Sequence, residues 1–515
     1  MAAPLISNAN EPNSNYIKYD LILTNNNNKN ILYNNKYVSV EFTTTKLSIT
    51  ELVGAHRCVL EIDSSDLIGG SIVMTKRNGF KLLLYYYPIF ITRCSGLLTD
   101  LVSARDCNDT RCPKEDRCRV RKELMLDFLT NHSLCEQWLT AVRCLVYGQL
   151  STFYNGGGSH QPLYLVVVNP VGGQGYGRSI WTNTVSKMLH EADIKVDLLI
   201  TEYSNHAKNY VHQLNRGLYA AILCIGGDGM VFEVMNGIKS RSDCSEFFAT
   251  VAIVHVPGGT GNGLAKSVLY ASREKFGPLN ATFVAIRGHP QPLDLSVVTT
   301  SDGVEHMSFL SLSWGLISDI DILSESMRCI GELRLYIAAV YFILMRRYCS
   351  GRLRMSLIDD DVVDGIGSTS KNIMIFDTEH ASLTENKAIN TNYNTDMNQN
   401  TTKWTVIEGR FLFVFVVQTS HVASTICCSP NIKLDDGIFT IFVAQEMTRY
   451  EMLTLLIELD SNGLTKHPKV KVYRCNQYTL EPTSEDGILS LDGEVIHYGD
   501  IQATVLPSAA RVLVL

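Results

Sequence analysis

Ala220-Ala-Ile-Leu-Cys-Ile-Gly-Gly-Asp-Gly-Met-Val-Phe-Glu-Val-Met-Asn-Gly-Ile238 changes character twice along its length. Ala220–Ile225 is apolar without alternation, the pattern of a short strand buried on both faces. Gly226-Gly-Asp-Gly229 follows as a turn, and Met230–Ile238 returns to an apolar pattern. A carboxylate inside a glycine turn at a strand end is badly placed for packing and well placed to meet a ligand. An ordinary turn also uses Asp-Gly, so this motif acquires meaning from its neighbours.

Between Pro162 and about Val298, apolar strands at Leu163–Val168, Val196–Thr201, Ala220–Ile225 and Val251–Val256 alternate with helical segments. This pattern predicts a parallel sheet covered on both faces, with ligands bound beyond the carboxyl ends of its strands. Two further strands run into glycine loops, Asn169-Pro-Val-Gly-Gly-Gln-Gly-Tyr-Gly177 and Pro257-Gly-Gly-Thr-Gly-Asn-Gly263. Glycines admit phosphate oxygens close to backbone N–H groups, and a following helix start adds a favourable dipole. The first loop lacks the Gly-Lys-Ser/Thr of a P-loop and the GxGxxG spacing of a dinucleotide site. Three such loops on one sheet edge favour a nucleotide phosphate site over three independent turns.

After Met307 the chain turns β-rich, with strands expected at Gly409–Thr419, Gly437–Ala444, Lys469–Arg474, Gly487–Leu491, Ile501–Leu506 and Ala510–Leu515. Their spacing suggests an antiparallel sandwich. Ahead of the α/β part, residues 15–150 hold strand-like runs at Tyr37–Thr43, Cys58–Asp63, Phe80–Tyr86 and Glu123–Phe128. An amphipathic helix, His132–Tyr147, closes them with Leu134, Trp138, Leu139 and Val142 on one face. Strands closed by a helix with a buried Trp suggest a β-rich, pleckstrin-homology-like module; a lineage-specific extension is the plain alternative. The Asn-rich stretch at Asn25–Asn28 and the polar insertion at 365–403 cannot bury enough apolar surface to order themselves.

Bulk properties exclude several classes. The 515 residues carry a formal net charge of -7, which argues against a generic nucleic-acid binder and against whole-surface attraction to anionic membranes. The amino terminus has no signal-like apolar region, and the longest apolar runs, Tyr336–Met345 and Phe411–Val417, are too short to span a bilayer. A cytoplasmic, peripherally membrane-associated protein is expected. The fourteen cysteines then read as reduced thiols, and Cys107, Cys112 and Cys118 lack the paired C-x-x-C of a zinc site.

Taken together, NPVGGQG (169–175), GGDGMVFEVMNG (226–237) and VPGGTGNGLAKS (256–267) resemble the catalytic domain of the diacylglycerol kinase and sphingosine kinase superfamily. The block SFLSLSWGLISDID (308–321), with Ser324, Glu325, Arg328 and Gly331-Glu-Leu-Arg334, looks specifically like sphingosine kinases, and Leu491-Asp-Gly-Glu494 also fits. The resemblance covers roughly 160–360 and 405–515. It implies an amino-terminal α/β lobe with a Rossmann-like parallel sheet of NAD-kinase and diacylglycerol-kinase type over 160–298. A carboxyl-terminal antiparallel β-sandwich lobe over 299–515 would bind lipid and could return its final strand to the kinase lobe, with ATP between the lobes.

On matching positions, the resemblance implies that Asn169, Pro170 and Val171 line the nucleotide. Thr201, Glu202, Tyr203, Ser204 and Asn205 would do so too. Glu233, Gly259, Thr260 and Gly261 would complete the phosphate cradle, and Arg328 and Arg334 would supply positive charge. Asp492, Gly493 and Glu494 would close the site. Asp228 would be the general base toward a lipid hydroxyl, with Gly226, Gly227 and Gly229 admitting the substrate. Mg²⁺ would accompany ATP, with Asp492 as first candidate ligand and Asp294 as a weaker one.

Asp321 would read the ammonium of sphingosine or dihydrosphingosine through a charge-assisted hydrogen bond. In the alternating run Ile317–Ile322, Asp319 and Asp321 fall on one face. Phe309, Leu310, Leu312, Leu316, Ile320, Leu323 and the Ile337–Leu344 helix are candidates for the tail pocket. Arg346 and Arg347 are candidates for transient contact with a membrane surface. Departures are Val171, Gly226 and Thr260, where relatives often carry a larger or basic residue, Ser and Ser. Ceramide or diacylglycerol kinase, NAD kinase and a catalytically inactive lipid-binding scaffold are the competing readings. Oligomeric state is not legible.

Overall fold

The computed structural model describes residues 21–24, 31–52, 57–76, 79–92, 116–173, 175–325, 333–345, 347–358, 374–375, 404–458 and 463–515. Asn25–Asn28 and, apart from Met374 and Ile375, the insertion 365–403 lie outside them. The chain divides into two compact units. One comprises Met1–Pro88, Val120–His160 and Glu191–Asp193; the other comprises Ile89–Arg119, Gln161–His190 and Ile194–Leu515.

The first unit is a β-rich module. Its strands run, in spatial order, Cys58–Asp63, Lys46–Glu51, Lys36–Thr43, Leu32–Tyr33, Lys122–Asp127, Phe80–Tyr86 and Leu67–Met74. Phe80–Tyr86 alternates, burying Leu82, Leu84 and Tyr86. The helix His132–Val146 begins at Asn131, whose side chain accepts from the Leu134 N–H at 3.0 Å. Its Trp138 lies fully inside, with ring centroids 6.3 Å from both Phe42 and Phe128.

The second unit is built on one long mixed sheet. Four parallel strands come in the order Lys195–Ile200, Leu163–Val168, Ala221–Gly226, Ala252–Pro257. Leu163–Val168 is thus flanked on both sides by later strands, and the chain direction switches between it and Ala221–Gly226. Such a switch opens a crevice at the carboxyl ends. The helices Asp228–Lys239 and Cys244–Thr250 bury Val231, Val234, Met235, Phe247 and Phe248 in the core over this sheet.

The final strand, Ile501–Val514, joins the two kinds of sheet. It pairs parallel with Ala252–Pro257 at Arg511 and antiparallel with His289–Thr300 and Val470–Pro482. Two strands expected at Ile501–Leu506 and Ala510–Leu515 are one strand, bent at Ser508, where φ is 53°. Conversely, the expected strand Gly409–Thr419 is two, Trp404–Phe411 and Phe413–Val417. The antiparallel part encloses a core made of strand residues alone, among them Trp314, Phe411, Phe439, Tyr478 and Leu480, as a sandwich requires. Its other face is covered by the helices Leu316–Glu325, Leu333–Met345 and Arg449–Glu458, over a separate cluster containing Phe413, Phe415, Phe442 and Met452.

Candidate active site

The parallel strands deliver four loops to one edge: Thr201–Asn205, Asn169–Tyr176, Gly227–Asp228 and Gly258–Asn262. Glycine lets these loops touch. A Cβ on Gly259 would stand 2.4 Å from the Gly227 Cα, and one on Gly173 would stand 2.6 Å from the Gly258 carbonyl oxygen. Gly173 also needs glycine for its φ of 62°. The amides of Gly258 and Gly259 both donate to the Gly226 carbonyl, at 2.9 and 3.0 Å. Asn169 folds the first loop by accepting from the Val171 and Gly172 amides at 3.1 and 2.8 Å. Asn262, in the left-handed region, closes the third through the amide and carbonyl of Gly259.

Asp228 opens the helix Asp228–Lys239 and points at the start of another, Gly263–Ala271. Its Oδ2 accepts from the Gly263 amide at 3.0 Å and its Oδ1 from the Leu264 amide at 3.2 Å. A carboxylate offers about four acceptor positions. Among the described residues only these two donors use them, and the side chain keeps 10% of its exposure. Beside the Thr201–Asn205 loop, Glu233 accepts from the Asn205 amide at 2.9 Å through Oε1, while its buried Oε2 has no partner among the described residues. An orphaned buried carboxylate oxygen calls for a donor. Thr201 is buried against the Val168 carbonyl, and Tyr203 stacks on His206 at 4.4 Å. Glu494 comes from the sandwich to this edge: a Cβ on Gly229 would stand 2.4 Å from its Oε1.

Residues 163–298 match the diacylglycerol kinase catalytic domain, and 388–514 match the YegS C-terminal NAD kinase beta sandwich-like domain. The chain is 30% identical over 359 residues to sphingosine kinase 1 of Mus musculus, covering 67% of this chain and 89% of the relative. It is 29% identical over 343 residues to sphingosine kinase 2 of Arabidopsis thaliana, covering 65% and 69%. Sphingosine kinase 1 of Arabidopsis thaliana is 30% identical over 342 residues, covering 65% and 68%. The chain belongs to the sphingosine kinase family.

Within this family member, several expected site residues lie elsewhere than their sequence pattern suggests. Leu316–Glu325 is a helix, not an alternating strand. Two residues along a helix differ by roughly 200° of rotation, so Asp319 and Asp321 do not share a face. Asp319 is 2% exposed and lies 3.7 Å from the Arg347 guanidinium. Burial raises its carboxyl above the usual range, with Arg347 pulling the other way. Asp321 is half-buried. Arg347 also donates to the Asp486 carbonyl at 3.0 Å, while its side chain keeps 39% of its exposure; Arg346 lies outside the described residues. Arg328 lies outside them too. Arg334 falls on the helix Leu333–Met345, where its side chain is not among those described.

Asp492 does not fit the role of magnesium ligand. It is 1% exposed. Its Oδ1 accepts from Ser308 Oγ, Leu310 N and Ser311 N at 2.8, 3.0 and 2.8 Å, and its Oδ2 accepts from Phe309 N at 3.1 Å. Burial pushes its carboxyl up to about 7 against the pull of those donors. Asp294 is likewise engaged, accepting from the Gly437 and Ser508 amides at 2.5 and 2.7 Å. Among the described residues no group of three or more His, Cys, Asp and Glu is arranged to hold a metal ion.

The proposed tail-pocket residues also divide. Phe309 and Leu310 belong to the core of the parallel sheet, Leu312 to the sandwich interior, and Leu316, with the partly buried Ile320, to the cluster under the helices. The segment after Gln418 reaches the site itself. Ser424 donates to the Gly261 carbonyl at 2.8 Å, and a Cβ on Gly263 would meet Val422. Sequence reading missed His255, fully buried 3.6 Å from Asp228. The available signal was its standing as the single polar residue in the apolar strand Ala252–Pro257.

Proposed function

We propose that this protein transfers the γ-phosphoryl group of ATP to the primary hydroxyl of a sphingoid base, sphingosine or dihydrosphingosine, giving the 1-phosphate. The observation that carries this reading is Asp228. It is oriented by two helix N-terminal amides, retains acceptor positions on both oxygens, and stands where three glycine loops meet. The lipid hydroxyl attacks the γ-phosphorus as its proton moves to a carboxylate oxygen of Asp228. The bond from that phosphorus to the β–γ bridging oxygen breaks, and ADP leaves. Glu233 Oε2 is offered to the ribose, and the loops around Gly173, Gly227 and Gly259 to the phosphates. Asp321, beside the buried Asp319, is assigned to the substrate ammonium. Magnesium is proposed to travel with the triphosphate and its waters.

The substrate's aliphatic chain resides in a bilayer. We infer that a membrane surface carrying it meets the helices over the sandwich. Ile337, Tyr341, Leu344 and Met345 on one and Tyr450 and Ile457 on the other are exposed apolar side chains. The Arg449 guanidinium donates to the Leu344 carbonyl at 3.1 Å, tying the two helices together. No helix among the described residues is long and apolar enough to cross a membrane.

The test is Mg·ATP-dependent phosphate transfer to sphingosine, dihydrosphingosine, phytosphingosine, ceramide and diacylglycerol, with Asp228→Asn alongside. Transfer confined to the free bases, with kcat lowered on the order of 10²- to 10⁴-fold in the variant, is expected. Preference for ceramide or diacylglycerol would overturn the substrate class, and absence of transfer to every lipid would overturn the activity.

A further inference from the structure

His255 sits in the middle of the apolar strand Ala252–Pro257, directly opposite Cys224 of the neighbouring strand, and is wholly buried. Its Nδ1 accepts from the Ala265 amide at 3.3 Å. An amide only donates, so Nδ1 is the lone-pair nitrogen and Nε2 carries the hydrogen. Nε2–H then donates to the Gly226 carbonyl at 3.0 Å, the same carbonyl that receives the Gly258 and Gly259 amides. Nδ1 lies 3.6 Å from Asp228 Oδ1.

The helix Gly263–Ala271 is nine residues long, and its first amides need partners outside it. Asn262, which precedes it, makes no side-chain cap, because its amide group is committed to Gly259. The first three amides are shared instead between two side chains from other elements, Asp228 at the start of a helix and His255 on a strand. Gly263 donates to Asp228 Oδ2, Leu264 to Asp228 Oδ1, and Ala265 to His255 Nδ1.

We propose that His255 is a positioning residue for the general base: by taking the third amide of this helix and fixing the Gly226 carbonyl, it leaves Asp228 one acceptor position per oxygen for the lipid hydroxyl. The inference rests on the reading of Asp228 given above. Without an acceptor at Nδ1, the Ala265 amide is buried and unpaired, a costly state. Asp228 already serves the two preceding amides, and turning to serve the third takes the carboxylate away from the substrate.

The two ring nitrogens are separable by substitution. Asn places an amide oxygen near the position of Nδ1, Gln places an amide nitrogen near that of Nε2, and Leu replaces neither. In steady-state assays with ATP and sphingosine, His255→Leu and His255→Gln are expected to lower kcat by about ten- to a hundredfold, as a misplaced catalytic group does. Both KM values should stay within about twofold. His255→Asn should recover most of kcat. Melting temperatures of all three report folding, and if the Leu variant does not fold, the Asn and Gln pair carries the comparison.

Equal kcat for Asn and Gln variants, or KM changes as large as the kcat change, would overturn the positioning role. Asp228→Asn, assayed beside them, separates the two failures. If it retains full activity, the base assignment falls and this inference with it. If it is inactive while His255→Gln matches wild type, the inference alone falls.

Discussion

At the glycine-loop edge, position is set by backbone against backbone, whereas at the helix Leu316–Glu325 it is set by side chains. Gly173 and Gly259 approach the backbones of Gly258 and Gly227 at distances no Cβ on them tolerates, and the carbonyl of Gly226 gathers two amides and an imidazole. Such a site has little room to adjust. At the helix, the buried Asp319 paired with a partly exposed Arg347, a hydroxyl of Ser318 on the carbonyls of Gly315 and Ile488, and apolar packing hold Asp321 in place. Those contacts can be weakened one at a time. The two regions should therefore fail differently when perturbed: all at once at the loops, by degrees at the helix.

After Asp228→Asn, the largest effect expected is from Gly259→Ala. The new methyl would lie 2.4 Å from the Gly227 Cα and 2.8 Å from its nitrogen, both backbone atoms. The loops must part, and kcat/KM for ATP and lipid together should fall on the order of a hundredfold. Steady-state kinetics would check this. A variant within a fewfold of wild type would mean that the loops flex and that the contrast between the two regions is false.

This difference also explains what the sequence disclosed. Strands ending in Val168, Gly226 and Pro257 were legible because continuous apolar runs followed by glycine encode a parallel sheet edge, with no side-chain geometry needed. The same glycines mark the candidate site. Ile317–Ile322 reads as a strand because Ile-Ser-Asp-Ile-Asp-Ile alternates over a span too short to separate a period of 2.0 from one of 3.6. The Asp492 carboxylate was assigned to a metal because its four donors come from Ser308–Ser311, about 180 positions away. No local pattern encodes such a contact. His255 was invisible for the opposite reason, being one polar residue in a strand otherwise typical of a core.

Asp492 tests the sandwich side next. Its carboxyl is raised to about 7 from an unfolded value near ~3.9. Over that window the native state holds a proton the unfolded chain has lost. The associated stability is fully present below about pH 4 and is lost as pH rises through about 7. Asn cannot ionise, so Asp492→Asn should flatten this part of the stability profile. It should also cost about 1–3 kcal/mol at neutral pH, because its NH₂ faces a donor where a carboxylate oxygen now accepts. Urea unfolding from pH 4 to 8 measures both. An unchanged slope would mean that Asp492 is ionised throughout.

Asp321→Ala should show the graded behaviour of the helix. Loss of one charge-assisted contact to the substrate ammonium should raise KM for sphingosine about tenfold, with KM for ATP unchanged. A matching rise for ATP would mean that the helix and the loops are one cooperative unit.

The smallest effect expected belongs to the exposed apolar residues outside both regions. Leu344 and Ile457 are 61% and 69% exposed and contribute little to folding. Replacing both by Ser should leave the melting temperature and activity on detergent-solubilised sphingosine close to wild type. Each side chain transferred from water to the bilayer interface is worth about 1 kcal/mol, since burial there is partial. Partitioning onto vesicles that contain sphingosine should then fall on the order of tenfold for the pair, measured by sedimentation. Activity on vesicle-borne substrate should fall in parallel. If partitioning is unchanged while detergent activity drops, these side chains belong to the substrate pocket rather than to the membrane-facing surface. The helical region would then take part in holding the lipid tail, and the graded failure expected of it would include the tail as well as the head group.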